Sequence, residues 1–276
     1  MAKKVSIQGF EGSFHQVAAN AFLGKDILVL PCSTFREVVQ HVSDKKADVA
    51  VMAIENSIAG SILPNYSLLQ RSDLVITGEI YLEIDQNLLV NKGVKLEDIR
   101  EVHSHPMALQ QCLAYLDQYK WKLVETEDTA LSAKHINQHR SKHIAAIASK
   151  LAAELYHLQV LAPKIQTEKD NYTRFLILET RSKKIHIEGA NKASICFQTD
   201  HSKGILSRVL SKIAQCDINL SKLQSSPIPT NAWKYNFHAD MEFDSVEQFN
   251  NALEAIKGLT TQLKVFGVYK KGKTVK

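Results

Sequence analysis

The chain has 276 residues, 45% of them hydrophobic and 23% charged, which is enough apolar material for two domain cores and too much for a disordered chain. Its net charge of +5 is mild and sits partly in Lys183, Lys184 and the tail lysines Lys270, Lys271, Lys273 and Lys276; such runs read as solvated ends, excluding nucleic acid as the expected partner and leaving a small anion as a fitting one. No apolar stretch approaches the ~18 residues that span a bilayer, the N-terminus is too weakly apolar for a signal peptide, and Cys32, Cys112, Cys196 and Cys216 form no CxxC pair, so the expectation is a cytoplasmic protein with buried free thiols and no membrane partner.

In chain order, residues 5–7 read as a strand, and Phe14, Val17, Ala18, Ala21 and Phe22 set a helix over residues 14–23. Residues 27–30 form a second strand, residues 35–43 a helix capped by Ser33 or Thr34, and residues 48–54 a buried strand that enters the polar cluster Glu55, Asn56, Ser57. This alternation predicts a mostly parallel sheet covered by helices. Residues 74–90 are rich in strand formers. A second alternation follows: strand 101–103, a helix 106–119 opened by Pro106, strand 122–125, a helix capped by Asp128 or Thr129, an apolar segment 143–148, a helical stretch to 158, and strand 175–178. Residues 179–192 are polar and read as a linker. Beyond them come strand 193–198, helix 205–216, strand 218–225, strand 233–243, helix 246–257 and strand 262–269. The order β-α-β-β-α-β in about 80 residues is the split-βαβ, ferredoxin-like arrangement.

In parallel α/β units ligands bind where strand ends meet helix N-termini, which present unpaired N–H groups and partial positive charge. The polar turns at residues 9–13, 55–61, 104–106, 127–129 and 171–174 fit that description. Each alone reads more readily as a cap, Ser13 and Ser104 included. Together they point to a small anion or polar ligand without naming a reaction. Gly9-x-x-Gly12 lacks the dinucleotide fingerprint, and Gly24-Lys25 is not a P-loop. His135, His139 and His143 have metal-compatible spacing, but their charged neighbours favour a solvated helix face, and His103-x-His105 offers too few ligands; no metal is expected.

The segments GFEGSFHQVAA, AIENSIAGS, SHPMALQQC, DTALSA and NYTRF resemble, in order, those of prephenate dehydratase, and KGILSRVLSKIAQCDINLSKLQSSP followed by WKYNFHADM resembles that family's ACT regulatory domain. The resemblance implies an α/β catalytic region of two lobes, like a type II periplasmic binding protein, over residues 1–180, with lobe one at about 1–78 plus 172–180 and lobe two at about 79–171. It implies a linker at 181–192 and an α+β, ferredoxin-like ACT domain at 193–276. It implies loss of carbon dioxide and water from prephenate to give phenylpyruvate, in phenylalanine synthesis, with no metal or organic cofactor. Thr173 matches the family's catalytic threonine, and Arg174, Phe175, Ser104, His105, Gln111, Thr129, Ser13, Asn56 and Ser57 match positions expected at the substrate. Met107 stands where the family often has Gln. Glu55 is a proton donor if it faces the cleft, and the organiser of the Asn56–Ser57 turn if it does not.

The family's Glu-Ser-Arg-Pro signature is here Gln224, Ser225, Ser226, Pro227, while Gly204, Ile205, Leu206 and Asn219, Leu220 are retained. The expectation is an L-phenylalanine effector held by those loops and by Ser225, in a homodimer or homotetramer built through the ACT domains. The competing readings are arogenate dehydratase, differing only in the substrate side chain, and a non-catalytic small-anion or amino-acid binding module.

Overall fold

The computed structural model describes residues 2–181, 188–228 and 234–275. It divides into two compact units, one of Met1–Ser61, Ile80–Phe175 and Thr274–Lys276, the other of Ile62–Glu79 and Leu176–Lys273. No described helix is long and apolar enough to cross a membrane.

In the first unit, β1 (Lys3–Gln8), α1 (Phe14–Leu23), β2 (Ile27–Cys32), α2 (Phe35–Ser43) and β3 (Val49–Asn56) follow the predicted alternation. β1 lies between β2 and β3 and is parallel to both. The run Val49 to Ile54 is buried along its whole length, as a strand covered on both faces requires. Thr34, not Ser33, caps α2 by accepting from the Glu37 amide. After β3 the chain does not pass straight into a helix. It folds back as β4 (Gly60–Ser61), pairing Glu55 with Ser61 and Asn56 with Gly60, and only then enters α3 (Leu63–Arg71).

The predicted strand segment 74–90 is two strands in two sheets: β5 (Leu74–Glu83) and β6 (Asn87–Val90). Between them the Ile84 amide bonds to the Asn171 carbonyl, which redirects the chain. The second sheet contains β6, β7 (Glu101–Ser104), β8 (Lys122–Glu125), β9 (Ile144–Ala148) and β10 (Gln159–Ala162), in the order β10-β6-β9-β7-β8. The predicted helix over 106–119 is broken into α4 (Pro106–Gln111) and α5 (Leu113–Leu116). The break has a cause: the Gln111 carbonyl, which a continuous helix would give to residue 115, instead accepts from the Thr167 amide. α6 (Thr129–Gln138) and α7 (Lys150–Leu155) complete the layer. β11 (Tyr172–Thr180) and β16 (Thr274–Val275) join the first sheet, whose order is β16-β5-β11-β3-β1-β2 with β4 on β3; the unit boundary falls inside β5 and β11.

The second unit holds β12 (Lys192–Gln198), α8 (Ile205–Ala214), β13 (Asn219–Pro227), β14 (Tyr235–Glu242), α9 (Val246–Lys257) and β15 (Thr261–Tyr269). The sheet order β13-β14-β12-β15, antiparallel throughout, is that of a split βαβ. Phe197, Val209, Ile213, Met241, Phe249 and Ile256 form its core. β15 approaches β5 so closely that any Cβ at Gly267 would collide with the Ile76 carbonyl.

Three expectations change here. The polar stretch 179–192 is not all linker: β11 runs to Thr180 and Lys192 opens β12 with 1% exposure. Its ammonium meets Glu79 Oε1 and Oε2 at 3.0 and 3.2 Å, and the Gly272 amide also donates to Oε1. The lysine tail is not merely solvated, because Lys271 pairs with Glu242 and residues 274–275 form a strand. Cys216 is half-buried rather than buried. Trp233, Lys183, Lys184 and Lys276 lie outside the described residues.

Candidate active site

The site grows from the end of β3. Asn56 Oδ1 accepts from the amides of Ile58 and Ala59, at 3.0 and 2.9 Å, which closes the turn and turns the side-chain nitrogen toward β11. Nδ2 then donates to Asn171 Oδ1 at 2.7 Å, to the Tyr172 carbonyl at 3.1 Å and to Thr173 Oγ1 at 3.0 Å. Ser57 is stitched to the same strand: its amide donates to the Tyr172 carbonyl, its hydroxyl accepts from the Tyr172 amide and donates to the Asp170 carbonyl. AIENS and NYTRF are therefore one surface. The Asn56 side chain is fully occupied in building it, whereas the exposed Ser57 hydroxyl keeps one lone pair. Thr173 keeps a donor. Its oxygen accepts from Asn56, it is 9% exposed, and its own proton goes to no described residue.

The opposite wall comes from α4. Gln111 Oε1 accepts from Gln86 Nε2 at 3.2 Å and from Asn171 Nδ2 at 3.1 Å. Gln86 is buried in the segment that leaves β5; its amide N–H donates to Gln166 Oε1, and its own Oε1 has no partner among the described residues. A cavity of about 660 Å³ lies beside this cluster, lined by Ile58, Ala59, Met107, Gln110, Gln111 and Thr167 among others. Its mouth is partly apolar, Ile58 and Met107 being exposed.

The loop at residues 9–13 rests on the two ends of α7. Ser149 Oγ donates to the Gly12 carbonyl and Tyr156 Oη to that of Glu11. Gly12 has φ +88°, and a Cβ there would come within 2.9 Å of Ala152 Cα, so only glycine fits. Asp128 caps α6 through the Leu131 amide; burial pushes its carboxyl above the usual range, against the pull of the Leu131 and Ala130 amides. Beneath the loop, His15 is sandwiched by Phe35 and Phe175 and accepts from the Ala53 amide on Nε2. Burial pushes its pKa down to about 3, so it stays neutral.

The remaining expected residues are placed as follows. Ser13 is the N-cap of α1 but its hydroxyl makes no cap bond and is buried without a partner among the described residues. Ser104 is fully buried and donates to the Ile147 carbonyl, tying β7 to β9; the cap of α4 is His105, whose Nδ1 accepts from Met107. Thr129 opens α6, half-buried, one residue after the Asp128 cap. Arg174 is buried with its guanidinium 5.9 Å from the Tyr81 ring centre, and Phe175 is buried against His15. Glu55 is half-buried, opposite Ser61 in the hairpin. In the second unit, Gly204, Ile205 and Leu206 border a cavity of about 400 Å³ with Asp200, Ser202, Lys234, Tyr235 and Phe237, whereas Asn219, Leu220 and Ser225 on β13 do not line it. Among the described residues no three His, Cys, Asp or Glu side chains converge to hold a metal ion.

Sequence reasoning did not single out Gln86, Asn171 or His15. A signal existed for one of them: Asn171 heads the NYTRF motif.

Residues 5–183 match the prephenate dehydratase family profile. The chain is 33% identical over 273 residues to the bifunctional chorismate mutase/prephenate dehydratase of Enterobacter agglomerans, covering 97% of this chain and 70% of that one. It is 37% identical over 281 residues to arogenate dehydratase 2 of Petunia hybrida, covering 96% and 71%. Prephenate dehydratase from Arthrobacter aurescens, solved in complex with L-Phe, superimposes with a TM-score of 0.87 at 25% identity, over 97% of this chain and 90% of that one. GqqA, described as a novel type of quorum quenching acylase, superimposes with a TM-score of 0.89 at 28% identity over 98% of both chains.

Proposed function

Because the chain belongs to the prephenate dehydratase family, we propose that it is a lyase acting on prephenate itself, with Thr173 as the residue that directs the elimination. Prephenate loses its ring hydroxyl as water and its ring carboxylate as carbon dioxide, and the ring becomes aromatic. The hydroxyl leaves only if a proton or a strong hydrogen bond reaches it. The Thr173 O–H, held by Asn56 as an acceptor and with its proton unspent, supports that role; this is the observation that carries the reading. The carboxylate must lose its charge into the ring, so a wall of neutral amides serves it better than a tight ion pair, which would stabilise the ground state. Aromatisation drives the reaction, leaving the protein mostly the work of positioning. Asn56 and Ser57 act on Thr173 rather than on the substrate.

Arogenate is the second substrate to test, since a relative at 37% identity is named for it. Acylase chemistry has less support at this site: a hydroxyl nucleophile is activated by an adjacent base, and neither Ser57 nor Thr173 hydrogen-bonds to a histidine or carboxylate among the described residues. Supplying prephenate and arogenate separately, and measuring phenylpyruvate and phenylalanine, decides it. Phenylpyruvate from prephenate at the higher kcat/KM supports the proposal; neither product would overturn it.

Residues 193–276, in this reading, are an ACT domain. L-phenylalanine, a ligand supported by the L-Phe complex of the Arthrobacter protein, occupies the cavity bordered by the retained residues Gly204, Ile205 and Leu206, and ACT domains join copies of the chain as a dimer or tetramer. Calorimetry that detects no phenylalanine binding, with turnover indifferent to it, would remove the effector from this account. A cytoplasmic setting is supported by four free cysteines.

A further inference from the structure

We propose that Asn171 is the positioning residue of this site: it sets the direction of the hydrogen bonds at Asn56 and Gln111, so that Gln111 and Thr173 each present a donor to a ligand. The inference rests on the reading of the site as one that handles a dianion.

Side-chain amides can be turned either way, and only their partners fix them. Here the chain of partners ends on backbone. The Ile58 and Ala59 amides are obligatory donors, so the atom they meet on Asn56 is its oxygen. Asn56 therefore presents NH₂ to Asn171, and the atom it meets there is an oxygen. Asn171 consequently presents its own NH₂ to Gln111, which must answer with Oε1, the atom that also accepts from Gln86. Nothing is left ambiguous along this path. The Gln111 NH₂ is turned away from the network, bonds to no described residue, and belongs to a side chain that lines the 660 Å³ cavity. At the other branch Asn56 donates to Thr173 Oγ1, which obliges the threonine proton to point elsewhere. The two outputs of the relay are thus N–H at Gln111 and O–H at Thr173, both donors.

Asn171 is suited to this work. It is fully buried, its carbonyl accepts from the Ile84 amide, and it lies where the strand leaving β5 and the strand entering β11 meet. Gln86 reinforces it from the other side, and spends the cost of one orphaned oxygen to do so. An aspartate at position 171 would keep the bond from Asn56 and lose the one to Gln111.

The test is a double-mutant cycle in the full-length chain with prephenate as substrate. Asn171→Ala is expected to raise KM about tenfold or more, with a loss of kcat as Thr173 loosens. Adding Gln111→Ala to it should raise KM no further than about twofold beyond Gln111→Ala alone. Should Asn171→Ala fail to fold, Gln86→Leu keeps the proposal exposed: it removes one donor to Gln111 and the orphaned oxygen together. It should raise KM severalfold with kcat and melting temperature unchanged, and should do nothing in a Gln111→Ala background. Independent effects in both cycles overturn the proposal. A second readout needs no turnover. With glutamine side chains labelled with nitrogen-15 and Gln111→Ala identifying the signal, the Gln111 amide resonance must shift in Gln86→Leu. An unmoved signal refutes the relay, whereas an inert wild-type enzyme with a moving signal refutes only the substrate assignment.

Discussion

Two buried polar clusters in this chain are made of opposite materials. Around Asn56 the network is built of amides, hydroxyls and backbone groups, with donors left over at Thr173 and Gln111. Around Lys192 there are full charges: Glu79 takes the ammonium on both oxygens and a backbone amide as well. A buried ion pair holds its geometry only if every lone pair is satisfied, and it offers nothing further to a ligand. A chain of neutral dipoles is less costly to bury and can end on an unspent donor. The first arrangement suits a site that must meet an anion without gripping its ground state; the second suits a joint between strands.

The sharpest way to break this contrast is Lys192→Met. It leaves Glu79 charged and enclosed, and should cost about 3–5 kcal/mol in urea denaturation. Lys192→Met with Glu79→Leu should recover most of it; a single variant as stable as the parent would show that the pair is not a joint. Next comes Thr173→Ala, expected to lower kcat by about 10²–10³ while leaving the melting temperature alone, as loss of one directed donor does elsewhere. Thr173→Ser should retain most activity. Normal turnover by the alanine variant would end the role assigned to the spare proton.

Glu55→Gln separates the neutral site from one with an acid in it. A general acid works in its protonated form, so its loss would abolish the fall of kcat at high pH. The expected result is an unchanged profile shape and a kcat lowered less than about tenfold, as befits a residue that organises the hairpin. The smallest effect concerns pH and stability. Burial holds His15 near a pKa of about 3 and His238 near about 4, both below the unfolded value of 6.5. Between those values the unfolded chain binds more protons, so stability is full above pH 6.5 and falls as pH drops, by at most about 1.4 kcal/mol per unit for each group. His238→Phe should flatten the decline in melting temperature between pH 7 and pH 5; an identical slope would show that His238 titrates normally.

Local pattern was enough for much of the fold. Helices α1, α2 and α9 have the bounds their apolar spacing predicts, and the buried run of β3 announces itself. The failures share one cause, a partner distant in the chain. Helix 106–119 breaks because Thr167 takes a carbonyl from it. Lys192 read as linker because its partner is 113 residues away. Ser104 read as a cap, but its hydroxyl reaches Ile147 on the neighbouring strand. At the site, the motif residues Asn56, Ser57 and Thr173 were legible as types, yet what each bonds to was not. Gln86 acts only through Gln111, so no spacing rule could reveal it, and the place of Asn171 at the head of NYTRF did not show that it bonds to Asn56 and Gln111.

The reach of the Asn56–Thr173 bond has a consequence for how the molecule comes to exist. It closes a loop of 117 residues, and the first sheet also takes a strand from residues 274–275. Contacts of such separation form late, after the entropy of closing the loop has been met. On the ribosome, a chain released before residue 173 has its first parallel strands but no active site, and one released before residue 274 still lacks the sheet's β16 strand. Catalytic competence is therefore acquired only after residue 173 has been added and the long loop has closed.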